Sequence, residues 1–145
     1  MFVVLDTNHF RELREDTAAG RNLQRRIEER EANVFTCIVA VEETIEGWFA
    51  LIKRHAAGRD QITAYGRLHR SIEALIKLPI LPFDDAAADA FHRLRDARVR
   101  VGTMDLKIAA ICMASGRDAA HSKSRGLRES PRPACGKLAG LSRRK

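Results

Sequence analysis

The 145-residue chain is 45% hydrophobic, has three cysteines and carries a formal net charge of +7. It is long enough for one domain with its own core, and Cys37, Cys112 and Cys135 are odd in number and too widely spaced for a zinc site or a disulfide framework. No apolar stretch approaches the roughly 20 residues of a membrane span, and no charged start leads into a signal-type apolar core, so a cytoplasmic protein without a membrane partner is expected.

The charge is one-sided. Residues 1–116 hold 17 basic and 17 acidic side chains, whereas residues 117–145 hold 9 and 2. All of the excess lies in the tail, which can attract polyanions through counterion release or can be a solvated end. It says nothing about a groove in the folded part.

The chain opens with Phe2-Val3-Val4-Leu5-Asp6-Thr7-Asn8. Four apolar residues in a row predict a central parallel strand covered on both faces, and the Asp-Thr-Asn that follows falls at its carboxyl end, where open α/β sheets bind ligands. Two readings of Asp6 stand side by side: a first piece of a metal or phosphate site, or a cap for the helix beginning near His9. A short helix to Arg14 is followed by the capping pair Asp16-Thr17 and a helix over about 20–30, with Leu23 and Ile27 as its apolar stripe. Val34 to Ile38 reads as the second strand.

A long helix is predicted from about Val39 to Ala57, with Val41, Ile45, Trp48, Phe49 and Ile52 near one face and Gly58 ending it. Asp60 to Lys77 forms its partner in a packed hairpin through Ile62, Tyr65, Leu68, Ile72, Leu75 and Ile76. Leu78 to Phe83, bounded by prolines, is a short third strand. Asp84 or Asp85 caps a helix over about 86–97, and a last helix begins after Gly102-Thr103 and turns Met104, Ile108, Ile111 and Cys112 inward. Alternating strands and helices of this kind make an α/β sandwich with few strands.

Glu43 is near the start of the helix after the second strand and Asp105 near the start of the helix after Gly102-Thr103; if parallel strands feed these helices, both join Asp6 at one end of the sheet. Three carboxylates in one place raise one another's pKa unless a cation offsets the repulsion, and Mg²⁺ or Mn²⁺ suits such oxygen ligands. Glu42 lies beside Glu43, and one helical residue turns a side chain by about 100°, so both cannot face the same metal equally. Trp48 reads as core or interface in preference to a base-stacking platform, Lys107 as a surface lysine in preference to one that steers a phosphate, and the five histidines show no ligand spacing.

Leu5-Asp6-Thr7-Asn8, then Thr36 through Glu43-Thr44-Ile45-Glu46-Gly47, then Arg100 through Gly102-Thr103-Met104-Asp105 to Ala110 together resemble the PIN-domain ribonucleases, most closely the VapC-type toxins of bacterial toxin–antitoxin modules. The resemblance runs over residues 1–116, about four-fifths of the chain. It implies a PIN-like α/β/α sandwich with a short central parallel sheet, Asp6, Glu43 and Asp105 as catalytic acids holding Mg²⁺ or Mn²⁺, and Thr7 and Asn8 orienting Asp6. It also implies hydrolysis of an RNA phosphodiester by a metal-activated water, a cognate antitoxin as partner, and a homodimer or partner contact on the helix pair from Val39 to Lys77.

After Gly116 the family pattern breaks. PIN domains continue with a buried strand, a Thr-x-Asn segment and a fourth acid in an Asp-Phe pair, whereas residues 117–145 are polar, basic and aperiodic, an aberrant tail expected to be poorly packed. Codons exist for Arg117 to Leu141 whose reading from the second base gives ATLLTANRGDFAKVPGLRVENWLD, which contains all the missing features in order. A shifted frame would remove the last strand and the fourth acid, near Gly126-Leu127, and weaken metal binding and catalysis. Two other classes are carried: an aspartyl-phosphate phosphotransferase, disfavoured because Asn8 stands where a second acid belongs, and a catalytically inactive PIN-like protein that only binds an antitoxin or polyanions.

Overall fold

The structure is a computed structural model that describes residues 2–123, with side chains as far as Gly116. Strand β1 (Phe2–Leu5) runs into α1 (Thr7–Arg14) and α2 (Ala18–Glu29). Then follow β2 (Asn33–Cys37), α3 (Ile38–Lys53), a 3-10 turn at Arg59–Gln61, α4 (Ile62–Leu75), β3 (Ile80–Leu81), α5 (Asp85–Asp96) and α6 (Thr103–Lys123). The three strands form one parallel sheet in the order β1-β2-β3, with Leu5 opposite Thr36 and Cys37 opposite Leu81. Among the described residues β2 therefore takes the middle place that the sequence suggested for β1.

Period-two alternation sends the side chains of β1 to opposite faces. Val3 and Leu5 pack with Phe10 of α1 and Leu75 of α4 on one face, while Val4 meets the other core. That second core joins Cys37, Val39 and Ala40 to Ala87 of α5 and Ile108, Ile111 and Cys112 of α6. Helices on both faces of a parallel sheet make the α/β/α sandwich.

Local chemistry sets the helix ends. Thr17 accepts a hydrogen bond from the Gly20 amide at 3.0 Å and Asp84 accepts one from Ala87 at 3.0 Å, each removing an orphan donor of a first turn. Gly20 is required where α2 passes α1, because a Cβ there would run into the carbonyl oxygens of Glu12 and Glu15. Helix α3 ends at Lys53 rather than near Ala57, since His55, Ala56 and Ala57 are exposed and offer no apolar anchor.

The hairpin of α3 and α4 differs most from expectation. Leu75 is buried, but Ile62 is 62% exposed, Tyr65 53% and Ile72 40%, so among the described residues much of the apolar stripe on α4 stays uncovered. Periodicity records an apolar face without saying what covers it. Helix α6 continues past Gly116 to Lys123, consistent with the helix-favouring Arg, Ala and Lys there; the remainder of the tail lies outside the described residues. Among the described residues, no helix is long and apolar enough to cross a membrane.

Candidate active site

The site is built where β1 and β2 end. Asp6 leaves β1 in extended backbone and caps α1: its Oδ1 accepts the His9 amide at 2.8 Å and lies 2.7 Å from His9 Nδ1. An ionised carboxylate can only accept, so Nδ1 carries the proton of that contact. The capping role and a site role thus coincide in one residue.

Thr7, the next residue, reaches across to the second crossover. Its hydroxyl donates to Glu43 Oε2 at 2.7 Å and lies 3.4 Å from the carbonyl of Ala40. A hydroxyl has one proton, and the shorter, charge-assisted contact takes it. Beneath this bridge Thr36, fully buried, donates to the Leu5 carbonyl at 3.2 Å and locks the ends of β1 and β2 together.

The Cys37 thiol registers the same gathering. Burial pushes its pKa up, the nearby carboxylates of Glu43 and Asp6 push it further, and hydrogen bonds from the Ala40 and Val39 backbone oppose them. Asp6, Thr7, Glu43 and the last residue of β2 therefore share one neighbourhood at the carboxyl rim of the sheet.

Asp105 stands in the first turn of α6, next to Met104, which packs on the core that holds Cys37 and Ala40. Its Oδ2 lies 3.8 Å from where a Cβ on Gly102 would sit, so the carboxylate turns back over its own helix start, where the dipole favours a negative charge. Among the described residues no three His, Cys, Asp or Glu side chains gather closely enough to hold a metal ion. The structure brings Asp6 and Glu43 into one neighbourhood. Asp6 and Glu43 are hard-oxygen donors of the kind Mg²⁺ takes.

The supporting residues also differ from the sequence reading. Thr7 holds Glu43 rather than Asp6, Asp6 is held by His9, and Asn8 is exposed on α1. The signal for His9 was its spacing: three residues after a helix-capping Asp, a side chain lies against the cap. Glu42 and Glu46 are exposed.

From Thr7 and Glu43 a cleft of about 600 Å³ opens between α1, α3 and α4. Five arginines line it: Arg11 and Arg14 on α1, Arg54 after α3, and Arg67 and Arg70 on α4. Arg14 is tied down, donating to Ser71 at 2.8 Å and lying 5.5 Å over the Phe10 ring. Trp48, expected in the core or an interface, is half-buried and lines this cleft.

The model of the PIN domain family matches residues 3–130. The chain belongs to the PIN domain family. The match continues past Gly116, where the sequence reading ended the PIN-like part. Among solved structures the chain is similar to VapBC2 from Rickettsia felis, bound to a DNA fragment from their promoter. That likeness has 15% identity and a TM-score of 0.55, over 79% of this chain and 82% of that one. FitAcB from Neisseria gonorrhoeae is similar at 22% identity and a TM-score of 0.55, over 79% and 82%. These likenesses concern the PIN fold. No curated protein matches the chain significantly.

Proposed function

We propose that this PIN domain is the endoribonuclease toxin of a VapC-type toxin–antitoxin module, hydrolysing RNA phosphodiesters with the help of Mg²⁺ or Mn²⁺. The observation that carries the reading is the Thr7 bridge, which ties Glu43 to the helix capped by Asp6 at the mouth of an arginine-lined cleft. PIN domains are generally nucleases, and the similar solved structures are toxin–antitoxin proteins. The named partners are therefore RNA and a cognate antitoxin, and the exposed apolar stripe of α4 suits an antitoxin or a second copy.

By the family likeness Asp6, Glu43 and Asp105 would hold the cation, and Asp6 and Glu43 are the pair this structure brings together. When bound, a cation of this kind supplies a water of lowered pKa and offsets charge growing on the phosphoryl oxygens. Thr7 holds the Glu43 carboxylate in place, His9 holds that of Asp6, and the arginines of the cleft attract and orient the phosphate backbone.

The shifted-frame reading of residues 117–145 predicts that activity is impaired here by loss of the fourth acid; most of that segment lies outside the described residues. The arginine-lined cleft also suits one second reading, a PIN-like protein that binds its antitoxin or polyanions without turnover. Asp6→Asn separates the two, because Asn caps a helix as well as Asp does and so removes the charge without unfolding α1. Mg²⁺-dependent RNA cleavage that disappears in this variant supports the nuclease; salt-dependent RNA binding without cleavage in either form supports the binder.

A further inference from the structure

We infer that the cleft between α1, α3 and α4 seats an unpaired nucleotide of the RNA, with its base stacked on Trp48 and the adjoining phosphates on Arg54, Arg67 and Arg70. This rests on the ribonuclease reading and adds to it the residue that selects single-stranded over paired substrate.

Three features of the cleft converge on that ligand. The first is charge. Five arginines face one cavity against two acids, Glu15 and Glu43, and among the described residues Arg11, Arg54, Arg67 and Arg70 form no ion pair. An excess of cations over acids raises the potential of a concave surface and favours a polyanion there.

The second is the floor. Gly47 and Trp48 lie side by side on α3, between Glu43 and Leu51. Glycine inside a helix costs roughly 1 kcal/mol relative to alanine. Among the described residues nothing demands it here, because a Cβ on Gly47 would meet no atom of theirs within 4 Å. Gly47 and Trp48 both line the cleft, so the glycine keeps its wall free of a further side chain and leaves room for a flat base.

The third is size and position. A cleft of about 600 Å³ is in the range of small-ligand pockets, roughly 300–1,000 Å³. It takes a nucleotide splayed out of a strand but not an A-form duplex, which proteins recognise by shape across its minor groove. Because the same cleft is lined by Thr7 and Glu43, a base on Trp48 places its neighbouring phosphate toward the carboxylates. Aromatic stacking and arginine contacts together are the usual means of holding single strands.

The chain has one tryptophan, so its emission reports the proposed contact directly. The full chain, in EDTA to prevent cleavage, is titrated with a short single-stranded RNA of mixed sequence. Intrinsic fluorescence and the anisotropy of a label on the RNA are followed together. Trp48 emission is expected to be quenched with the same midpoint as the anisotropy. The same RNA annealed to its complement should not quench, and neither should an acidic peptide of similar length.

Trp48→Leu, which keeps apolar bulk but has no ring, should weaken single-strand binding about tenfold or more, and Trp48→Phe should restore most of it. Arg67→Ala with Arg70→Ala, both exposed in the native chain, should weaken it and lower the salt dependence. RNA binding with unchanged emission, which is how the basic tail alone would bind, overturns the proposal. So does an acidic peptide that quenches where RNA does not. Cleavage by Trp48→Leu with unchanged KM removes the stacking role and leaves the ribonuclease standing, whereas quenching by RNA without any cleavage keeps the binding site and removes the ribonuclease.

Discussion

Thr7→Val separates a residue that merely joins two helices from one that sets the geometry of a metal ligand. Valine keeps the shape of threonine and loses the hydroxyl, so the 2.7 Å donor to Glu43 Oε2 disappears with little change in packing. A hydrogen bond to a charged group contributes about 1.5–3 kcal/mol when buried. Thr7 and Glu43 are both half-buried, so water replaces part of it and a loss of about 1 kcal/mol is expected. In a domain of this size that lowers Tm by about 3–5 °C.

The effect on metal binding should be larger than the effect on stability. A carboxylate released from its hydrogen bond must be re-ordered when the cation binds, and losses of supporting contacts of this type weaken metal affinity about 10- to 100-fold. Mn²⁺ affinity by titration calorimetry and the Mg²⁺ dependence of RNA cleavage should shift together, and Thr7→Ser should restore both. A variant with lowered Tm but native Mn²⁺ affinity would refute the reasoning and leave Thr7 as a tie between α1 and α3.

Gly20→Ala should destabilise the chain by about 3 kcal/mol, since the new methyl group meets two backbone oxygens that cannot swing aside; an unchanged denaturation midpoint would show that the α1–α2 crossing is looser than described. Gly47→Ala should act in the opposite sense, raising stability by about 0.5–1 kcal/mol in thermal unfolding while narrowing the cleft. Because the folded state holds the Cys37 proton more tightly than the unfolded chain, stability should fall as pH rises above about 9. Urea unfolding at successive pH values should show that decline reduced in Cys37→Ala. Replacing residues 117–141 with ATLLTANRGDFAKVPGLRVENWLD should raise metal affinity and RNA cleavage, and a gene whose codons do not encode that string in the next frame would sink the frameshift explanation.

Short-range rules made much of this molecule legible in its sequence. The apolar runs of β1 and β2, the caps Thr17 and Asp84 and the inward face of α6 each depend on neighbours a few residues away, and each occurs close to where the pattern places it. The Asp that ends β1 and the Glu on the helix after β2 were also legible as neighbours, because parallel strands feed both to one edge of the sheet. Family likeness then supplied a meaning for them.

Only the tertiary structure decided which side chains touch. That the Thr7 hydroxyl goes to Glu43 and the Asp6 carboxylate to His9 depends on how α1 lies over α3, which no local pattern encodes. Trp48 has the periodicity of a core residue and lines a cleft instead, because the stripe on a helix reports apolarity and not the identity of what lies opposite. The five arginines of that cleft come from three separate elements and form a single charged surface only once the chain has folded, since like charges far apart in sequence are brought together by the burial of the apolar residues between them.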